Sequence, residues 1–186
     1  MTIPNALSLL RIFLLAPFLI AVIYRQYTVS LVIFVCAGIS DVLDGYLARR
    51  LGQVTRLGAY LDPLGDRLLT TVSFVSLSIH GLLPAWLAVL VVAKDLYVAL
   101  GAAILYFIGQ PLVGDVSISG KLATFLQILT VAICLLAQTI SVSMVIQQVF
   151  FVLTGVVTVF ACLNYILQGL RPFADGQVDT SQTKDL

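Results

Sequence analysis

Apolar residues run in long blocks, separated by short polar or turn-forming stretches. The blocks cover approximately 8–24, 28–51, 58–80, 84–108, 121–141 and 144–168. About 20 apolar residues wound as a helix cross the hydrocarbon core of a bilayer, so the pattern predicts six membrane-spanning helices. The breaks carry turn chemistry: Gln26-Tyr27-Thr28, Gly52-Gln53, Gly81-Leu82-Leu83-Pro84, and the stretch from Gly109 to Gly120. From Arg171 to Leu186 the chain is polar and aperiodic, as a mobile tail is. The expectation is an all-α, polytopic membrane protein. One six-transmembrane-helix bundle fills residues 1–170, and a disordered tail fills 171–186.

Composition sharpens this picture. Of the 186 residues 60% are hydrophobic and only 10% charged, against about a quarter charged in a soluble domain. The solvent is therefore lipid. A formal net charge of +1 gives no reason to expect a nucleic-acid partner. The first block is preceded by Pro4 and Asn5 rather than basic residues, and no small-x-small cleavage site follows it. It reads as a retained helix, not a secretion signal. Cys36, Cys134 and Cys162 sit inside apolar runs and read as small packing residues rather than a disulfide framework. His80 stands alone beside Gly81 and is assigned no role.

Lysine and arginine fall unevenly. Arg11, Arg49, Arg50, Arg56, Lys121, Arg171 and Lys184 lie near the N-terminus, the second and fourth connections and the C-terminus, while Arg25 lies near the alternate set. The positive-inside rule places both termini and the 52–57 connection in the cytoplasm.

All nine acidic residues are Asp. Glu is the better helix former and the commoner choice for solvated helix faces, so these carboxylates were not placed as surface decoration. Asp41 and Asp44 are three apart in the second block, and Asp62 and Asp66 four apart in the third. Helical geometry puts each pair on one face, and the short turn between the blocks makes the two helices antiparallel neighbours. An ionised Asp deep in a membrane helix costs on the order of 3 kcal/mol on insertion scales. Four approach 12 kcal/mol before their mutual repulsion is added. Arg49 and Arg67 neutralise two at most. A bound cation accounts for the excess better. With no His or Cys in the cluster the donors are hard oxygens, suited to magnesium or manganese. Four carboxylates suffice for two ions, which stabilise charge at both the attacking and leaving oxygens of a phosphorus centre.

The neighbours fit that chemistry. Gly45 and Ala48 lie four residues after Asp41 and Asp44, and Gly58 one turn before Asp62, which keeps the approach open. Arg49 offers a planar fork of donors to phosphate oxygens. Pro63 cannot donate its backbone N–H and frees the carbonyl of Ala59.

Together these residues read D-x2-D-G-x2-A-R-x8-G-x3-D-x3-D. The pattern resembles the signature of the CDP-alcohol phosphatidyltransferases at every defined position. Ile3-Pro4-Asn5, Ser8 and Arg11 also look like that family's N-terminal segment. The resemblance implies transfer of a phosphatidyl group from CDP-diacylglycerol to an alcohol acceptor, with release of CMP, and a homodimer. It implies that Asp41, Asp44, Asp62 and Asp66 bind metal, and that Asp66 also takes the acceptor's proton. Arg49 would hold the diphosphate, and Gly45, Thr55 and Gly58 would line the nucleotide site.

Members that use glycerol 3-phosphate carry Arg-Glu in the fourth helix and Gly-Lys-x-Lys-Thr at the fifth. This chain has Lys94-Asp95 and Gly120-Lys121-Leu122-Ala123-Thr124. Positive charge for an acceptor phosphate is kept at Lys94 and Lys121, which makes glycerol 3-phosphate the first choice of acceptor. Phosphatidylglycerol, the acceptor of cardiolipin-forming relatives, is the alternative. Lys94 and Asp95 also read as adjacent opposite charges that lower the cost of insertion, although sequence neighbours do not face each other on a helix. In a different class, a transporter with an aspartate relay is disfavoured by the clustering of the carboxylates in one hairpin and by the lack of inverted repeats.

Overall fold

The computed structural model describes residues 3–51, 56–107 and 118–174, with side chains described over 13–40, 67–101 and 119–166. Six helices account for them: α1 (Ile3–Ile23), α2 (Tyr27–Leu51), α3 (Arg56–Ile79), α4 (Ala85–Phe107), α5 (Ile118–Ala137) and α6 (Met144–Ala174). No strand occurs among the described residues.

The apolar blocks locate every helix, and the ends differ for local reasons. α1 begins five residues earlier than its block, because Pro4 suits the first turn of a helix, where no amide partner is needed. α5 stops at Ala137. There the amides of Gln138 and Thr139 bond to the carbonyls of Leu135 and Leu136, closing the helix in a tightened turn. Ser143 then opens α6, its Oγ accepting from the amide of Val145 at 3.3 Å. α6 runs on to Ala174, past the 168 expected from the sequence and through Arg171.

Two turns share one device. Arg25 (φ 58°) and Gly81 (φ 71°) each follow a helix in the left-handed conformation. After α1, Gln26 N–H donates to the Ala21 carbonyl and Arg25 N–H to that of Val22. After α3, Leu82 N–H donates to Leu77 and Gly81 N–H to Ser78. Both are Schellman closures that satisfy carbonyls the helix end would leave bare.

Among the described residues the helices pack as a ring, in spatial order α2, α1, α3, α4, α6, α5 and back to α2, with α3 also touching α5 across the middle. One end of the ring carries the three turns at 24–26, 80–84 and 138–143. Cys134 Sγ donates to the Leu82 carbonyl at 2.9 Å, and the hydroxyls of Thr28 and Thr139 lie 3.4 Å apart. Beneath these turns sits the apolar core, built from Phe18, Val22, Phe34, Phe74, Leu77, Leu87 and Leu135. Phe18 and Phe34 meet at 6.0 Å between ring centroids, tilted by 42°. At the other end the start of α5 meets the last described turns of α6, with Asn164 Nδ2 donating to Ser119 Oγ at 3.2 Å.

The interior holds buried polar side chains beside the apolar core, and the exterior is largely apolar. Thr70, Ser73, Ser76, Lys94, Gln127, Thr130, Thr154 and Thr158 are buried, while Phe13, Ile79 and Met144 are each more than 70% exposed. An apolar exterior of this extent marks a membrane interaction surface. Over Ser119–Ala137 and Met144–Ile166 the helices are long and apolar enough to cross a bilayer, and Phe13–Ile23, Tyr27–Ser40 and Arg67–Ile79 form shorter apolar stretches. The cysteines are free, as their apolar settings imply: Cys134 is buried, Cys162 half-buried and Cys36 exposed on the outer face.

Candidate active site

The helical backbone of α2 continues through positions 41, 44, 45 and 49, and that of α3 through 58, 62 and 66. Each carboxylate pair therefore keeps its three- or four-residue spacing on an unbroken helix, at the end of the bundle opposite the three turns. The side chains of Asp41, Asp44, Arg49, Asp62 and Asp66 lie outside the described residues, as do the surroundings of Gly45 and Gly58, Thr55 altogether and the side chains of Ser8 and Arg11. As a donor set, four carboxylates on two successive helices fit a hard divalent cation, and no soft ligand competes within that stretch.

Below this level the structure is explicit. Lys94, in α4, is 6% exposed. Its Nζ donates to Gln127 Oε1 of α5 at 3.1 Å and stands 3.0 Å from Asp95 Oδ1. Adjacent residues do not ordinarily face each other on a helix. This pair meets nonetheless, because the Lys94 side chain is long enough to fold back to the neighbouring carboxylate. The other carboxylate oxygen, Asp95 Oδ2, accepts from Thr71 Oγ1 of α3 at 2.8 Å. Gln127 Nε2 in turn donates to Thr158 Oγ1 of α6 at 3.1 Å. A second polar contact lies one turn deeper on the same two helices, where the hydroxyls of Thr130 and Thr154 are 2.6 Å apart.

The two lysines singled out from the sequence thus have different settings. Lys94 is interior and paired. Lys121, in the first turns of α5, is exposed. Gly120 beside it has a packing reason to lack a side chain, since a Cβ there would collide with the Tyr165 hydroxyl of α6. His80 is occupied at the far end of the bundle, with Nδ1 2.9 Å from the Ser76 carbonyl.

Gln127 and Thr158 were not singled out by sequence reasoning. The signal available was positional: Gln127 and Thr130, three apart, and Thr154 and Thr158, four apart, each form a polar stripe along an otherwise apolar helix.

A model of the CDP-alcohol phosphatidyltransferase family matches residues 1–162. The chain belongs to this family. It is a transferase of phospholipid biosynthesis, and the family works with divalent metal on CDP-diacylglycerol and an alcohol acceptor. Among its relatives, a probable phosphatidylglycerophosphate synthase of Mycobacterium tuberculosis is 33% identical over 174 residues, covering 90% of this chain and 81% of the relative. A CDP-diacylglycerol--glycerol-3-phosphate 3-phosphatidyltransferase of Salmonella choleraesuis is 33% identical over 172 residues, covering 88% and 92%. The human cardiolipin synthase (CMP-forming) is 39% identical over 106 residues, covering 56% of this chain and 35% of that enzyme.

Proposed function

We propose that this phosphatidyltransferase joins CDP-diacylglycerol to glycerol 3-phosphate, giving phosphatidylglycerol phosphate and CMP. The observation that carries the choice of acceptor is the match to a glycerol-3-phosphate enzyme along nearly the whole of both chains. Asp41, Asp44, Asp62 and Asp66 would hold two magnesium or manganese ions, which when bound would supply positive charge against the diphosphate. Arg49 clamps the diphosphate bidentately, while Gly45, Thr55 and Gly58 leave room for the nucleotide. Asp66 takes the proton of the acceptor hydroxyl as its oxygen bonds to the β-phosphorus. The bond from that phosphorus to the oxygen bridging to the α-phosphate breaks, and CMP leaves with the electron pair. Lys94 and Lys121 supply positive charge toward the acceptor's phosphate.

In this reading all six helices cross the bilayer within a single catalytic domain over 1–170. The end bearing the carboxylates and both termini face the cytoplasm, and two copies associate as a homodimer. The cytoplasmic placement rests on the clustering of Arg49, Arg50, Arg56, Lys121 and Arg171 toward that end, with Arg25 alone near the other.

The higher local identity to human cardiolipin synthase favours phosphatidylglycerol as a second reading. Purified protein in lipid nanodiscs, given CDP-diacylglycerol, magnesium and each acceptor in turn, separates the two by product mass. Formation of cardiolipin with no phosphatidylglycerol phosphate would replace the first reading with the second and leave the metal chemistry in place.

A further inference from the structure

About 7.5 Å of helix rise separates position 66 from Thr71, and at that depth one chain of polar side chains ties four helices together. It runs from Thr71 (α3) to Asp95 and Lys94 (α4), then Gln127 (α5), then Thr158 (α6), through contacts of 2.8, 3.0, 3.1 and 3.1 Å. Only two members are charged, one of each sign, so the relay is neutral as built. Among the described residues it is not saturated. An ammonium has three donors, and of those on Lys94 one is directed at Gln127. The Asp95 Oδ1 beside it is buried and accepts no well-formed hydrogen bond. A neutral relay with capacity to spare, beneath the carboxylate end and enclosed by four helices, is a poor choice for stability alone. An apolar replacement of similar volume costs a bundle little or nothing.

We propose that this relay is the floor of the acceptor subsite, with Asp95 and Gln127 as positioning residues that set how much of the Lys94 charge the acceptor's phosphate meets. The inference rests on the reading that the acceptor carries a phosphate, free in glycerol 3-phosphate or esterified in a lipid headgroup. Gln127 fixes the ammonium without cancelling its charge, because an amide oxygen accepts as a carboxylate would but is neutral. Thr158 fixes Gln127 in turn, by accepting from its Nε2 and leaving Oε1 toward Lys94. Asp95 moderates the attraction, and Thr71 holds that carboxylate on the α3 side.

The sign of the response separates this from a structural role. Gln127→Glu and Asp95→Asn are both close in shape to the native residues, and each disturbs one link of the same chain. A purely structural relay would be harmed in the same direction by both. An electrostatic floor responds in opposite directions. Gln127→Glu makes the relay net negative and raises the KM for the phosphate-bearing acceptor by at least about tenfold, with the KM for CDP-diacylglycerol little changed. Asp95→Asn makes it net positive, keeps an acceptor for Thr71, and lowers the acceptor KM or leaves it unchanged. Should Asp95→Asn not fold, Gln127→Met supplies the neutral comparison, and its acceptor KM is to stay several-fold below that of Gln127→Glu. The measurement uses whichever phosphate-bearing acceptor the unaltered enzyme turns over. Product identity with that enzyme judges the proposed function, and the direction of the KM changes judges the floor. Equal rises in both variants, no change in either, or turnover of only an uncharged alcohol would overturn it.

Discussion

Trp86 lies so close against Gly155 that a Cβ on the glycine would stand 2.7 Å from the ring carbon Cζ3. The contact joins the start of α4 to the middle of α6 and borders an apolar groove lined by Leu90, Val152, Val156 and Val159. Gly155→Ala forces the indole aside and is expected to cost about 1–3 kcal/mol. Trp86→Leu in the same chain removes the obstacle, so the double variant loses less stability than the two single losses added together. Thermal unfolding in detergent measures all three.

Arg25 adopts a left-handed backbone that glycine adopts without strain, whereas Gly81 already fits its own. Arg25→Gly is expected to stabilise the protein by about 1 kcal/mol, and Gly81→Ala to destabilise it by a similar amount. No atom lies within 4 Å of a Cβ built at Gly81, so the effect there is conformational and not a clash. The opposite directions of the two changes, followed by thermal unfolding, are the check.

Lys94 and Lys121 respond differently when replaced by Met. Lys94→Met strands the buried Asp95 carboxylate, which costs about 3–5 kcal/mol, and Lys94→Met with Asp95→Leu recovers most of it. Lys121→Met removes an exposed charge and leaves the unfolding temperature within error of the parent. Both single variants raise the KM for glycerol 3-phosphate more than that for CDP-diacylglycerol.

Replacing Asp41, Asp62 or Asp66 singly with Asn keeps side-chain shape and removes the charge that holds the ion. Each variant inserts and folds but does not turn over, and Asp66→Asn also loses general-base assistance typically worth about 10²–10⁴-fold. A chelator abolishes activity of the parent enzyme, and added magnesium or manganese restores it. Near-parental turnover by any one of the three variants would refute shared ion binding. Arg49→Lys, which keeps the charge but not the fork, raises the KM for CDP-diacylglycerol while the fold is retained.

Orientation has its own test. Cysteine in place of Gln53 is expected to react with a membrane-impermeant reagent in inverted vesicles and not in right-side-out ones. Labelling in right-side-out vesicles would reverse the topology read from the basic residues.

Much of the fold was legible in the sequence because each helix carries one long apolar block; the break at Gly81 falls where the chain turns, whereas the one placed at 26–28 comes later than the turn at 24–26, Tyr27 and Thr28 being already helical. The ends of α5 and α6 were less legible. Ile140 is as apolar as any helical residue, yet it lies past the end of α5, its amide bonding to the Leu136 carbonyl. Arg171 reads as tail but continues a helix. At the site, the aspartates stood out through the cost of placing charge in lipid. Gln127 and Thr158 did not, because a lone amide or hydroxyl in an apolar run costs little when it finds a partner, and that partner lies on another helix. The Lys94–Asp95 contact runs against the usual rule for sequence neighbours, and only the closure of four helices around it makes it the available arrangement.

The contact of α3 with α5 acts as a partition. Among the described residues it divides the ring into two four-helix sets, α2, α1, α3 and α5 on one side and α3, α4, α6 and α5 on the other. The carboxylate helices α2 and α3 both belong to the first set, whereas the Lys94 relay belongs to the second, and α3 is common to both. On the proposed assignment of the two substrates, the nucleotide lipid and the alcohol bind beside these neighbouring sets at the same time. Initial-rate plots at several fixed acceptor concentrations should therefore converge, as for a ternary complex, instead of running parallel as they would if a phosphatidyl group were first parked on the protein.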